Sequence, residues 1–317
     1  MKKTMTLALT LASLNSLAID TQADSTRGIS DLMYLPVAGT TSIGMKVSRT
    51  SSDADLTYIS QSITNTKTDD TDLSAYLAYS INDNFSLALN IPYTFSSDED
   101  TTYGPASTVN GDTEKTKSSG LQDIDIVAKY RIFDQKDRAV NFDLTIEFSP
   151  KTGDAESATK TADGNAFRGG TDLDITLDFG KKFKELQARG FFGLMFSGES
   201  ETKDLSDGSI SKTESFTSIQ LGAEIQLRPS QDIYLDGGLA VIFPGEFTVF
   251  HSTESQEYSA DPMLLISLKA GYDFSSNATV SLGYALTNSN RDITVSGTTL
   301  EQETSVSAFT LESTFNF

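Results

Sequence analysis

The chain ends "FTLESTFNF" (residues 309–317), with Phe309, Leu311, Phe315 and Phe317 in one phase of a period-two pattern and Thr310, Glu312, Thr314 and Asn316 in the other. Strict alternation marks a strand with one apolar and one polar face. Two folds use such a strand. A soluble sandwich buries the apolar face, whereas a membrane barrel turns it to lipid and turns the polar face to a wet lumen.

The same alternation recurs upstream. "NATVSLGYAL" (277–286) sets Ala278, Val280, Leu282, Tyr284 and Leu286 against Thr279, Ser281, Gly283 and Ala285. "LLISLKAGYDF" (264–274), "TDLDITLDF" (171–179) and "VNFDLTIEFS" (140–149) behave alike, the last opposing Val140, Phe142, Leu144, Ile146 and Phe148 to Asn141, Asp143, Thr145 and Glu147. Twelve strands are predicted near 40–50, 72–81, 84–95, 121–133, 138–149, 171–183, 185–197, 216–228, 231–243, 263–274, 277–288 and 305–317.

The connections sort themselves. Five are short: Asn82-Asp83, 134–137, Lys184, Pro229-Ser230 and Ser275-Ser276. Six are long: 51–71, 96–120, 150–170, 198–215, 244–262 and 289–304. Short and long alternate without exception, which a soluble sandwich has no reason to do. An even number of strands with short turns on one side and long loops on the other is the plan of an all-β, antiparallel up-and-down barrel of the Gram-negative outer membrane, its short turns periplasmic. The long loops, rich in Ser, Thr, Asp and Gly, read as solvated and without a core. Pro92 falls inside the third strand, where its missing N–H predicts a bulge. With no Trp in the chain, Phe85, Phe95, Phe133, Phe148, Phe183 and Phe274 are expected to supply the interfacial girdles, with Tyr.

The remaining features narrow the function. Met1-Lys2-Lys3, an apolar stretch to Leu17 and Ser16-Leu17-Ala18 predict a signal peptide over 1–18, followed by a periplasmic or luminal segment over 19–39 and the barrel over 40–317. Mean hydropathy is −0.24, and past the leader no run approaches the roughly 18 apolar residues of a membrane-spanning helix. A net charge of −20 argues against nucleic acid, whose phosphates demand basic patches. Cys is absent, which removes disulfides, thiolate metal sites and Cys nucleophiles. The single His251 has only Glu254 nearby in sequence, a poor start for a base that needs an orienting partner. The acidic runs Asp53/Asp55, Asp69/Asp70/Asp72, Asp98/Glu99/Asp100 and Asp163/Asn165 lack calcium-loop spacing. No catalytic residue, metal or cofactor is therefore assigned.

Phase places eleven acids inward: Asp123, Asp125, Asp143, Glu147, Asp172, Asp174, Asp178, Glu224, Asp236, Asp273 and Glu312. It places six bases there too: Lys46, Lys129, Arg131, Arg189, Arg228 and Lys269. The candidate lumen-lining or solute-binding set is Asp125, Lys129, Asp143, Glu147, Asp174, Arg189, Glu224, Asp236, Lys269 and Glu312. The surplus of acids predicts a weak preference for cations, unless the charges pair across strands and fill the barrel. Passive passage of small solutes is the first reading. A non-conducting structural or adhesive barrel is the alternative, its lumen filled by inward side chains or by 19–39, and an outer-membrane hydrolase is a weaker one. Expected partners are outer-membrane lipid and lipopolysaccharide, a small solute and the outer-membrane assembly machinery, with the chain a monomer.

Four stretches resemble the family of outer-membrane channels labelled "MetA-pathway of phenol degradation". "DLMYLPVAGT" (31–40) resembles its Tyr-x-Pro-x-x-Gly-Thr stretch, and "GLQDIDIVAKYRIF" (120–133) its Gly-x-x-Asp and Lys-Tyr-Arg strand. "SPKTGDAE" (149–156) is similar to its Pro-Thr-Gly-Asp loop with Lys151 inserted, and "RGGTDLDITLDFGKKF" (168–183) to the following Gly-rich loop and strand. The resemblance implies a barrel that conducts small solutes, hydrophobic or aromatic compounds among them. Separately, the apolar, aromatic end formed by Phe309, Leu311, Phe315 and Phe317 resembles the signal by which outer-membrane assembly machinery recognises its substrates.

Phe317→Asp separates that signal from stability. A charge near the membrane interface costs the folded barrel only about 0–1 kcal/mol, yet assembled protein in isolated outer membranes should fall several-fold. Leu282→Ala, which trims a side chain of the same outward phase, should assemble normally; wild-type levels of Phe317→Asp would remove the signal.

Overall fold

The structure, a computed structural model, describes residues 29–135, 138, 140–183, 186–251 and 254–317. The proposed leader lies outside these residues. Every regular element among them is a strand. We number the barrel strands β1 Thr41–Tyr58, β2 Gln61–Asn82, β3 Phe85–Tyr103, β4 in two pieces (Thr113–Leu121 and Asp125–Phe133), β5 Asn141–Ser149 and β6 Asp172–Phe183. There follow β7 Leu186–Ser197, β8 (Ile210–Thr213 and Phe216–Leu227), β9 (Ile233–Phe243 and Phe247–Phe250), β10 (Ser255–Ala260 and Met263–Ser275), β11 Ala278–Val295 and β12 Thr298–Asn316. Each pairs antiparallel with the next, and β12 returns to β1 in unbroken register from Ser42↔Asn316 to Thr57↔Glu301. Two main-chain bonds finish the seam, Phe317 N to Thr41 O at 2.8 Å and Thr41 N to Phe317 O at 3.1 Å.

The alternation is realised as expected. On β12, Phe309 and Phe317 are 62% and 75% exposed on the outside, whereas Thr314 and Asn316 on the inner phase are 2% and 4% exposed. Ile43, Met45, Val47, Leu77, Tyr79, Leu87, Leu89 and Ile91 continue the exposed apolar band around β1 to β3. Large apolar side chains left bare in register on successive strands have lipid as their partner.

The long connections differ from the sequence reading. β1 and β2 run on to a two-residue turn at Ile59 and Ser60, both at positive φ (48° and 60°), and β11 and β12 meet at Ser296 and Gly297 (φ 51° and 78°). These are the backbone angles of the hairpin turn that matches strand twist. Strand pieces also fill more than half of 96–120 and 244–262 and half of 198–215, and Ala155–Ser157 pairs in parallel with the end of Ser200–Asp204. The barrel thus rises beyond the membrane as a β-collar. Its inner wall carries a core of its own: Leu56, Phe247, Val249, Tyr258, Ile293 and Val295 are buried together. Phe216, Phe247 and Tyr258 stack in sequence, with ring centroids 4.7 and 4.9 Å apart. Above the bilayer the outer phase meets water, so the outward apolar half of the pattern disappears while pairing continues.

The bulge expected at Pro92 is present, but on the partner strand. Pro92 keeps its register with Ser74 of β2. On its other side Ile91 and Pro92 face three residues, Gln122 to Ile124, where β4 is interrupted.

Three inward aromatics lie over glycines of the neighbouring strand: Tyr76 over Gly44, Phe191 over Gly222 and Tyr234 over Gly271, each pair directly opposite in register. A Cβ at Gly271 would stand 2.0 Å from the Tyr234 ring, and one at Gly44 2.1 Å from Tyr76. Gly271→Val should therefore overpack the wall and destabilise the barrel by about 1–3 kcal/mol. The measurement is the urea midpoint of the heat-modifiable folded form; an unchanged midpoint would contradict the close seating.

Candidate functional site

The lumen is the one place where the chain gathers polar groups at membrane depth. All ten candidate residues point inward, and most are tied to a neighbour. Asp143 accepts from Arg131 Nε at 2.8 Å and Nη2 at 3.0 Å, with Lys129 Nζ 3.5 Å away. Arg189 bridges Asp178 (Nε, 2.7 Å) and Glu224 (Nη1, 2.9 Å). Lys269 stands 3.4 Å from Asp236. Asp125 accepts from Asn90 Nδ2 (2.8 Å) and from Arg168 Nη2 (3.1 Å). Glu147, Asp174 and Glu312 are different: no cation lies within ion-pair distance of them among the described residues. Part of the acid surplus is thus neutralised across strands, and part is left facing the lumen.

The periplasmic end holds a plug. Residues 29–36 lie within the barrel, every one of them buried. The Ser30 hydroxyl donates to both Asp273 oxygens at 2.8 Å and accepts from Arg228 Nη2 at 2.6 Å, while its carbonyl accepts from Gln226 Nε2 at 2.7 Å. Asp31 pairs with Lys182 at 2.9 Å and Arg228 at 3.2 Å. Leu32 N donates to Gln187 Oε1 at 3.1 Å. Lys129 Nζ donates to the Tyr34 carbonyl at 2.8 Å, and Arg131 donates to that of Met33. The Tyr34 ring packs with Tyr76, Ala78, Ala88 and Val127. The plug therefore touches β2, β3, β4, β6, β7, β8 and β10. Of the segment read as periplasmic or luminal, residues 29–36 are buried inside the barrel, whereas Ala38 and Gly39 are exposed beside the β2–β3 turn. Asp31, Gln187 and Gln226 escaped the sequence reading because an uncharged inward side chain and a residue outside the strands leave no mark in a period-two pattern; Lys182 shares the inward phase of Asp178 and was passed over at the strand end.

Three of the motif-bearing stretches meet at one buried carboxylate. Asp123 is fully buried. Its Oδ1 accepts from Thr152 N (2.7 Å) and Thr152 Oγ1 (2.8 Å), and its Oδ2 from Arg168 N (2.8 Å). Arg168 also reaches Asp172 at 3.0 Å. Asp123 thereby sews the 150–171 connection onto the wall where β4 is interrupted and β5 ends.

The hydrolase alternative has one feature to weigh. Ser211 Oγ lies 2.8 Å from His251 Nδ1 on the collar. Among the described residues no carboxylate bonds the His251 ring; Glu254 meets it only through the main chain, accepting from His251 N at 2.8 Å. The orienting acid of a Ser–His centre is therefore not supplied.

No family model and no curated protein matches the chain. Its shape does match solved structures. An outer membrane channel from Pseudomonas putida F1 aligns with a TM-score of 0.58 at 14% identity, over 90% of this chain and 98% of that one. The transport unit of the autotransporter AIDA-I from Escherichia coli aligns with the same TM-score at 10% identity, over 87% and 90%. The TodX monoaromatic hydrocarbon channel reaches only 0.46, at 10% identity over 91% and 93%. At these identities the likeness is one of fold, and that fold is the closed barrel of Gram-negative outer-membrane proteins.

Asp31→Ala should loosen the plug and leave the wall intact, since it strips one carboxylate from the buried Lys182 and Arg228. Amide hydrogens of 32–35 should exchange at least about tenfold faster, with the barrel's unfolding midpoint little changed. Unaltered exchange would show that the plug is seated by its apolar contacts alone.

Proposed function

We propose that this chain is a passive outer-membrane channel for small solutes, with residues 29–36 limiting passage at the periplasmic end. The carrying observation is the inner face of β5 and β6. There Glu147 and Asp174 lie directly opposite each other at membrane depth, with no cation within ion-pair distance among the described residues. Ionisable groups at membrane depth face a water-filled cavity or pair with one another, and the channel reading takes the lumen to be wet at this level. The remaining acid surplus favours cations, and the preference falls as salt screens the walls. The family resemblance extends the range of solutes to hydrophobic or aromatic compounds. On this reading the protein is not an enzyme and needs no cofactor. Its outward band meets lipid, with lipopolysaccharide in the outer leaflet; the assembly machinery reads its apolar C-terminal strand; the monomer is the working unit. The plug favours a second reading, a barrel that is closed and serves as structure or adhesin.

Planar-bilayer recording separates the two. Purified wild type should give discrete conductance steps, with a reversal potential on the cation side under a potassium chloride gradient. Deleting residues 29–36 should enlarge the steps. Silence from both folded proteins would overturn the channel, and anion preference would overturn the charge assignment.

A further inference from the structure

Arg291 of β11 lies on the inner phase of the collar and is half-buried. The outward residues beside it, Asn288, Asn290 and Asp292, are polar, so the lipid band has ended below this level. The other arginines that reach the inner wall, Arg131, Arg168, Arg189 and Arg228, each hold a carboxylate. Arg291 holds none. Among the described residues no acid stands within ion-pair distance of it, and no acceptor takes its N–H groups. What meets it is the ring of Tyr258 on β10, whose centroid lies 5.8 Å from the guanidinium carbon. Burial pushes the guanidinium below its ordinary pKa, and Tyr258 alone acts the other way. A guanidinium brings five N–H donors in a fixed fork. Withdrawn from water and unpaired, it costs free energy until an anion completes it.

A second side chain opens onto the same space. Arg291 is paired in the ladder with Gln302 of β12, and Gln302 with Leu56 of β1, all three on the inner phase. Directly opposed residues of one face have their Cβ atoms about 4.5–5.5 Å apart. Gln302 is half-buried, and its amide likewise has no hydrogen-bond partner among the described residues. The rows above and below differ in character. One inward step higher stand Tyr258, Ile293 and Leu300 in register, the flank of the collar core, where Leu300 packs half-open against the buried pair. One inward step lower, Ser289 faces Thr304. The inner residues that β10, β11, β12 and β1 contribute to these rows include no acid. Unused donors thus lie between a hydroxyl row and an apolar shelf.

The chemistry selects among anions. The fork of a guanidinium fits a planar pair of oxygens, as a carboxylate presents them, and a neighbouring amide N–H adds a further donor. Phosphate and sulfate also fit the fork, but they carry oxygens on every side. Seated here, they would press some of these against Ile293 and Leu300 with nothing to accept from. A carboxylate attached to an apolar body puts its oxygens on the donors and its body on the shelf. We propose that Arg291 and Gln302 form a binding site on the collar for a small monocarboxylate with an apolar body, which lies against Leu300 and the collar core. The site goes beyond the channel reading, because it stands above the acid-lined wall and its occupancy needs no passage.

The test is calorimetric titration of the detergent-folded full chain at neutral pH with benzoate, alongside benzamide, acetate and inorganic phosphate. Wild type should bind benzoate saturably and each of the other three roughly tenfold more weakly or less. Benzamide lacks the charge, acetate lacks the body, and phosphate has no apolar side. Arg291→Gln should weaken benzoate roughly tenfold or more, the loss of a charge-assisted bidentate contact. It removes a cation that no acid balances, so the variant should fold at least as well, as heat-modifiable migration will report. Arg291→Lys keeps the charge without the fork and should recover only part of the affinity. Leu300→Ala should weaken benzoate and leave acetate unchanged. No saturable heat in the wild type, benzoate binding undiminished in Arg291→Gln, benzamide binding as tightly as benzoate, or phosphate binding more tightly than benzoate would each overturn the site. Binding is read without current, so the result holds for an open barrel and a closed one alike.

Discussion

Hydrocarbon offers no hydrogen bonds, and that constraint governs this molecule. Every N–H and C=O at membrane depth has to find a partner within the protein, because each unmet group costs several kcal/mol. A sheet meets this demand only by closing, so β12 must return to β1. The register that joins them, from Ser42↔Asn316 to Thr57↔Glu301, is accordingly long and free of irregularity. Bulges are tolerated elsewhere, as between β3 and β4, where Gln122 N still donates to Pro92 O at 3.0 Å. The final Phe317 belongs to the closure itself: its main chain bonds Thr41 in both directions while its ring stays outside.

Closure creates a second problem, a polar interior that has to be filled or hydrated. The wall answers it in three ways. Aromatics laid on glycines thicken it without obstructing the centre, as at Tyr234 and Gly271. Cross-strand ion pairs such as Arg131 with Asp143 neutralise charge where water is scarce. The N-terminal segment occupies the periplasmic end, and its contacts there are largely with groups that also serve the wall. Arg131 holds Asp143 and the Met33 carbonyl, and Arg228 holds Asp273 and Asp31. Plug and wall share donors, so seating the plug completes the hydrogen bonding of the wall charges.

The membrane part of the fold was legible because two solvents impose one period. Lipid outside and water inside make β5 read as Phe142, Leu144, Ile146 and Phe148 against Asn141, Asp143, Thr145 and Glu147, and the strand count and inward phase follow. The collar was not legible for the same reason reversed. At Thr64, Thr66 and Thr68 the inner phase is buried Thr, and the outer phase is Asn65, Lys67 and Asp69, so hydropathy no longer distinguishes the faces. The apolar residues that do occur there, Leu56, Ile293 and Val295, point inward, opposite to the rule for the strands below them. The plug was foreseen only as one option, a segment over 19–39 lying in the periplasm or filling the lumen. Its partners are polar side chains from five strands and an apolar patch on β2, β3 and β4, and no local pattern encodes such an arrangement. Asp123 was correctly placed inward by phase, but its role depends on Thr152 and Arg168 coming to it from 29 and 45 residues away.

The distribution of unpaired charge follows from where those tertiary contacts end. Arg131, Arg189 and Arg228 sit towards the periplasmic end of their strands, within reach of the plug or of a neighbouring carboxylate, and there the acids are neutralised. Further up β5 and β6 the arginine that reaches the lumen wall, among the described residues, is Arg168, brought in by the 150–171 connection and fixed by Asp123. It can face Asp125 and Asp172, but its guanidinium is spent on them. Glu147 and Asp174 are left over because that connection supplies one base to a stretch of wall carrying five acids: Asp123, Asp125, Glu147, Asp172 and Asp174. Phase alone could place those acids inward; it could not say which would be left without an ion-pair partner. That is set by a loop residue outside the alternating pattern, and the electrostatic character of the lumen is therefore fixed as much by the connection that closes the collar as by the strands that form the barrel.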